Sequence, residues 1–62
     1  MTNREKMNDL TDEQLAKLMT YYLPKIGSMW TVSYYGITKW FQDDVSAEEW
    51  TYIKHAIFGE EI

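Results

Sequence analysis

Three times in this chain a hydroxyl residue is followed, three positions later, by Glu or Gln: Thr2-Asn3-Arg4-Glu5, Thr11-Asp12-Glu13-Gln14 and Ser46-Ala47-Glu48-Glu49. In this pattern the hydroxyl accepts from the backbone amide of the third helical residue. The Glu or Gln side chain reaches back to the capping residue's own N–H. Each cap stabilises a helix start by about 1 kcal/mol relative to alanine. Three such starts within 62 residues leave little chain for anything except helices. Two of them also carry a hydrophobic staple, with Leu10 before Thr11 able to meet Leu15, and Val45 before Ser46 able to meet Trp50. At the first start Lys6 stands where the apolar partner would be.

From these starts the helices can be drawn. A first, short helix is predicted over about Asn3 to Asp9. A second runs from Asp12 to about Leu23, because a residue that precedes proline, here Pro24, disfavours helical angles. Its apolar stripe is Leu15, Leu18, Met19, Tyr22 and Leu23. A last helix is predicted from Ala47 to about Phe58 with the stripe Trp50, Ile53, Ile57 and Phe58, followed by Gly59 at the left-handed C′ position. Glu48 and Glu49 in its first turn and Lys54 nearer its end suit the helix dipole. The middle, "SMWTVSYYGITKWF", reads two ways. Trp30, Val32 and Tyr34 alternate as in a strand, and a hairpin turning at Tyr35-Gly36 is one outcome. Ile37, Trp40, Phe41 and Val45 are spaced for a helix. A short helix over 37–44 after an extended segment over 29–34 is the favoured reading. The expected fold is a single, mainly α domain (1–62) of three or four short helices with an extended or short β segment in the middle. The alternative is α+β with a central hairpin.

A chain this short buries only about 60% of the surface its unfolded form exposes. Small domains therefore lean on disulfides, a metal or oligomerisation. With no cysteine and a single histidine, His55, disulfides, thiolate metal sites and an imidazole cluster are excluded, and no cofactor is expected. What remains is a dense core or a partner. Three Trp, five Tyr and two Phe suit both, since each aromatic side chain buries roughly 150–250 Å². The amino end, Met-Thr-Asn-Arg-Glu-Lys, has no apolar run behind it, and no segment is apolar enough to span a membrane. The expectation is a cytoplasmic protein without a membrane role.

The net charge of −4 is uneven. Residues 1–41 carry five basic and four acidic side chains, whereas residues 42–62 carry Lys54 against Asp43, Asp44, Glu48, Glu49, Glu60 and Glu61. Such an acidic end repels nucleic acid and anionic lipid and attracts basic surfaces. The spacing of these acids lacks the loop glycine and ligand rhythm of a calcium site. They either form a solvated face or meet a basic partner. Glu48, Tyr52 and His55 share one face of the last helix and could act as an acid/base trio. A convex helix face offers no pocket that excludes water, so a solvated face is the favoured reading there. The aromatics Tyr21, Tyr22, Trp30, Tyr34, Tyr35 and Trp40 exceed what one small core hides easily. Trp30, Tyr34 and Tyr35 are the candidates for an interface, where such side chains act as anchors. Stacking of single-stranded nucleic acid on these rings would also need a basic groove, which the charge pattern does not provide.

The amino end "MTNREKMNDLTDEQLAKLM" resembles that of a group of small proteins from prophages and mobile elements of Gram-positive bacteria, which begin with MTNREK or close to it and continue into a second capped helix. "GITKWFQDDV" resembles a further helix that many of them carry. The likeness covers the first 19 residues and about ten near position 40. Many members carry a cysteine cluster between the two segments, suggestive of zinc. Here that span is "TYYLPKIGSMWTVSYY", without cysteine, so no metal role carries over. The resemblance implies a phage setting, in the cytoplasm of a bacterial host, and assigns no activity.

No catalytic motif is present, so binding to a protein is expected rather than catalysis. The sharpest form is an inhibitor of a host defence nuclease, an anti-CRISPR or anti-restriction protein. It would occupy a basic, nucleic-acid-binding surface of a host nucleic-acid-processing enzyme and would not itself bind nucleic acid. The alternative is a homodimeric structural or regulatory accessory protein of the phage.

Overall fold

A computed structural model describes residues 1–60 of the chain. They are mainly helical, in the order α1 (Asn3–Met7), α2 (Asp12–Lys17), a π turn (Leu18–Tyr22), α3 (Leu23–Ser28), α4 (Ser33–Gln42), α5 (Ala47–Tyr52) and a second π turn (Ile53–Ile57). No strand occurs among the described residues. The one β feature is an isolated antiparallel bridge between Thr2 and Asp44.

The three capped starts are all present. Thr2 and Thr11 form the full reciprocal box with Glu5 and Gln14. Ser46 accepts from the amide of Glu49 at 3.3 Å, but the Glu49 carboxylate does not return the bond, because it is used inside the fold. The first helix is shorter than expected and ends at Met7.

The second helix does not stop before Pro24. The chain widens into the π turn instead, where Leu23 N–H donates to the Leu18 carbonyl five residues back. It then continues as α3 with Pro24 in that helix's first turn. A proline in an α-helix clashes with the carbonyl four residues earlier and removes a donor. A wider turn immediately before the ring relieves this conflict. The Leu23 backbone keeps helical angles (φ −58°, ψ −35°), so the tertiary gain overrides the pre-proline preference.

That gain is visible in the core, which consists of Met7, Leu18, Leu23, Trp40, Trp50, Ile53 and Phe58. Leu18 and Leu23 are five residues apart, as are Ile53 and Phe58. In an α-helix such a pair lies on different faces, whereas a π turn realigns it. The second π turn is closed by Phe58 N–H on the Ile53 carbonyl at 3.0 Å. Gly59 (φ +72°) follows it as expected, and Glu60 N–H donates back to the Lys54 carbonyl at 2.9 Å. The two π turns pack against each other around Leu18 and Ile53, both fully buried.

The middle of the chain departs most from expectation. Neither an extended segment over 29–34 nor a hairpin at Tyr35-Gly36 forms. The helix α4 begins at Ser33 and runs through both tyrosines. It packs closely along α3, and two glycines allow the approach. A Cβ on Gly27 would stand 3.1 Å from Ser33 Cβ. On Gly36 it would stand 2.2 Å from Trp30 Cδ1, because the Trp30 ring lies directly on the α4 backbone there. The alternating apolar pattern thus serves a turn that folds Trp30 back over its own following helix.

The amino-terminal segment closes the other side. Val45 N–H donates to the Met1 carbonyl at 2.9 Å and Asn3 N–H to the Asp43 carbonyl at 2.9 Å. Asn3, at 1% exposure, is the one buried polar side chain among the described residues. Its Nδ2 donates to the Trp40 carbonyl at 2.8 Å, and its Oδ1 accepts from Trp50 Nε1 at 2.9 Å. One amide therefore ties α1 to α4 and α5 together. Lys6 stands over the Trp50 ring, 5.2 Å from its centroid.

Candidate functional site

The acidic residues do not assemble into one surface. Glu49 turns inward, and its Oε2 accepts from the Tyr22 hydroxyl at 2.6 Å and from Trp40 Nε1 at 3.0 Å. Charge-assisted bonds of this kind are roughly twice as strong as neutral ones. They lock the first turn of α5 onto α4 and the first π turn. Burial, then the bond to Glu49 and its negative charge, push the Tyr22 hydroxyl pKa well above the ordinary tyrosine value. Asp43 pairs with Lys39 one turn earlier on α4, at 3.0 Å. Glu60 accepts from Gln14 Nε2 at 2.8 Å, which draws the end of the chain to the start of α2. Asp44 and Glu48 remain exposed around the α4–α5 linker. Glu61 lies outside the described residues.

Glu48, Tyr52 and His55 are exposed, and among the described residues no hydrogen bond joins them. His55 lies in the second π turn, whose wider pitch rotates it away from the phase an α-helix would give. Among the described residues no group of three or more His, Cys, Asp or Glu could hold a metal ion. No described helix is long and apolar enough to cross a membrane.

Trp30, Tyr34 and Tyr35, in contrast, are all exposed within one short stretch of chain. With Met29 and Val32 they form an exposed apolar segment around the α3–α4 turn. The Tyr34 and Tyr35 rings meet edge to face at 4.6 Å. The ten residues 29–38 contain no charged side chain. Beside them lies an open groove of about 180 Å³ whose walls include Ile26, Met29, Trp30 and Trp40, with Lys39 and Asp43 at its edge. Behind it the aromatic core is contiguous, with Trp40 meeting Trp50 at 5.9 Å and Tyr22 at 6.1 Å.

Met29, Gly36 and Lys39 line this groove; the sequence pointed to neither Met29 nor Lys39 as a site residue and to Gly36 only as a candidate hairpin turn. A glycine inside a helical pattern is the signal that would have found it, since such a residue often marks a close approach. Comparison of the chain with protein families, with curated proteins and with solved structures gives no match in any of the three.

Proposed function

We propose that this chain is a protein-binding module, not an enzyme, and that it meets its partner through the uncharged segment from Met29 to Tyr35. The observation that carries this reading is the exposure of Trp30, Tyr34 and Tyr35 on a scaffold that has room to bury other aromatics completely. Trp40 and Trp50 are buried nearby. Trp and Tyr are enriched among the side chains that carry binding energy at interfaces, and charged residues are depleted at interface centres. An open groove flanked by rings suits side chains of a partner better than a small substrate, which is usually enclosed.

The sharper reading is an inhibitor of a host defence nuclease in a bacterial cytoplasm, and it draws on the prophage-like amino end. Asp44 and Glu48 support it as exposed negative charge at the α4–α5 linker, whereas the charge of Asp43 is offset by its pairing with Lys39. Glu49 and Glu60 contribute less, because their carboxylates are engaged within the fold.

The test is capture of host proteins on the immobilised chain, compared with two variants that are first shown to fold. One is Tyr34→Ala with Tyr35→Ala; the other is Asp43→Asn with Asp44→Asn and Glu48→Gln. Loss of a specific partner with the tyrosine variant is the expected result. Loss with the amide variant, together with weakening at high salt and inhibition of DNA cleavage by the captured enzyme, supports the inhibitor form. Capture that survives both variants refutes the assignment of the surface.

A further inference from the structure

We infer that the surface around Trp30, Tyr34 and Tyr35 is the two-fold interface of a homodimer, a conclusion that rests on the protein-binding reading and names the partner as a second copy of this chain. Size is the first argument. Tyr34, Tyr35 and Trp30 are 63%, 57% and 46% exposed. Applied to about 150–250 Å² per aromatic side chain, these fractions leave roughly 250–400 Å² of ring surface uncovered. Met29 and Val32, 79% and 37% exposed, add on the order of 100 Å² if each offers the area implied by its burial energy. A standard interface buries about 800 Å² per partner, of which about 56–65% is apolar. The segment therefore supplies close to the whole apolar share of one side.

Charge is the second argument. Each chain carries −4, with the excess on residues 42–62, so two copies repel where those acidic parts face each other. Residues 29–38, which carry no charge, are where they can approach without that penalty. The rim also matches itself. Lys39 and Asp43 stand at the same groove edge with 58% and 49% of their side chains exposed. A two-fold axis brings the same patch of both chains together, so residue i meets j while j meets i. Within each chain Lys39 already pairs with Asp43 at 3.0 Å; the axis sets the two pairs against each other, so that each Lys39 stands between its own Asp43 and that of the other chain. Such a dimer covers apolar surface that a 62-residue chain cannot bury alone. It leaves Asp44 and Glu48 clear of the uncharged centre.

The experiment is sedimentation equilibrium of the full chain from about 1 μM to about 1 mM, with circular dichroism to confirm that each variant folds. The wild-type chain is expected to move from monomer to dimer across this range, and Tyr34→Ala with Tyr35→Ala to weaken association at least about tenfold. The rim gives a sharper readout. Lys39→Glu places like charges at both symmetric contacts, and so does Asp43→Lys. Each alone is expected to weaken dimerisation about tenfold or more. An equimolar mixture of the two is expected to regain it as a heterodimer, since both contacts then pair opposite charges. A wild-type chain that stays monomeric throughout overturns the inference. So does a mixture no more associated than its components. Monomeric behaviour with tyrosine-dependent capture of a host protein leaves the broader binding reading standing, whereas loss of both removes both.

Discussion

Asn3→Ala is expected to have a large effect on stability, although the residue is small, near the chain end and outside the aromatic surface. Two buried groups bond to it, Trp50 Nε1 at 2.9 Å and the Trp40 carbonyl at 2.8 Å, which without it keeps only a 3.3 Å bond from Asp43 N–H. A stranded group costs about 1–3 kcal/mol; with the Trp40 carbonyl partly satisfied by Asp43 N–H, the variant should lose about 2–5 kcal/mol. A chain of this length has a total stability of roughly 3–9 kcal/mol. The variant is therefore expected to be largely unfolded or to melt at least about 10 °C lower. Urea unfolding followed by tryptophan fluorescence measures the difference. A loss below about 0.5 kcal/mol would refute the view that this amide holds α1, α4 and α5 together. The isosteric Asn3→Asp adds a check on sign. The introduced carboxylate can still accept from Trp50 but, when ionised, cannot donate to the Trp40 carbonyl. Burial favours its neutral form, which raises its folded pKa above the unfolded value of about 3.9. Its contribution is then fully present below that value and is lost as pH rises through the folded pKa. Relative to the parent, this variant should be more stable near pH 4 than at pH 7. A difference that is flat or of opposite slope would place the side chain in water.

Four further outcomes follow from the geometry. Gly36→Ala should displace the Trp30 ring, since the new methyl falls 2.2 Å from Cδ1. An overpacking loss of about 1–3 kcal/mol is partly offset by alanine's better helix propensity of about 1 kcal/mol, and a red shift in the Trp30 emission reports the displacement. Ser46→Ala should cost about 0.5–2 kcal/mol, towards the lower end because only half of the capping box is made; an unchanged melting temperature would contradict the cap. The raised Tyr22 pKa favours the protonated fold, so its contribution is present below the unfolded value of about 10 and declines as pH rises above it; Tyr22→Phe should remove that alkaline component of the stability profile. Glu5 behaves oppositely, since the backbone and hydroxyl bonds of Thr2 hold its pKa below the usual carboxylate value. Its contribution is present above the unfolded pKa and lost as pH falls, and Glu5→Gln should flatten the acid limb.

Local signals in the sequence recovered the helix starts because caps are local chemistry. Thr2, Thr11 and Ser46 each need only a neighbour three residues on, and each caps a helix. The C′ glycine is local in the same sense, and Gly59 took the left-handed conformation expected of it. Non-local demands were hidden. Glu49 has the sequence of a capping-box partner, yet Tyr22 and Trp40, 27 and 9 residues away, claim its carboxylate. Asn3 looks like an ordinary polar residue in a short first helix. Only its place at i and i+4 with buried Met7 hints that it faces inward. For the middle segment, β propensity competed with packing, and packing of α4 along α3 prevailed. Of the candidate site, the aromatic part was legible from composition, since ten rings exceed one small core. The acidic part was misleading, because a count of charges does not reveal which carboxylates the fold consumes.

The π turns show how strongly the core dictates the backbone here. An α-helical stripe repeats at three and four residues, yet the deepest apolar pairs, Leu18 with Leu23 and Ile53 with Phe58, repeat at five. Trp50, buried three residues before Ile53, keeps the ordinary helical spacing, but a regular helix through either five-residue stretch would turn one member of that pair towards water and forfeit about 1.5–3 kcal/mol of burial. A single wide turn keeps both inside and disturbs only the local hydrogen-bond ladder, so the π turn is favoured at both places. The two turns also meet, with Leu18 and Ile53 at their contact. They determine where the other side chains go. The first carries Tyr22 to Glu49 and delivers Pro24 into the first turn of α3. The helix can therefore continue to Ser28 and place Met29 and Trp30 at its end. Had the helix ended at Leu23, the chain would have turned five residues earlier, and the Trp30 ring could not have reached Gly36. The exposed aromatic surface is thus a consequence of five-residue spacing in the core. A deletion of Thr20, which would return the first turn to α-helical pitch, should therefore perturb Trp30 as well as Leu18. An emission change confined to the buried tryptophans would break that link.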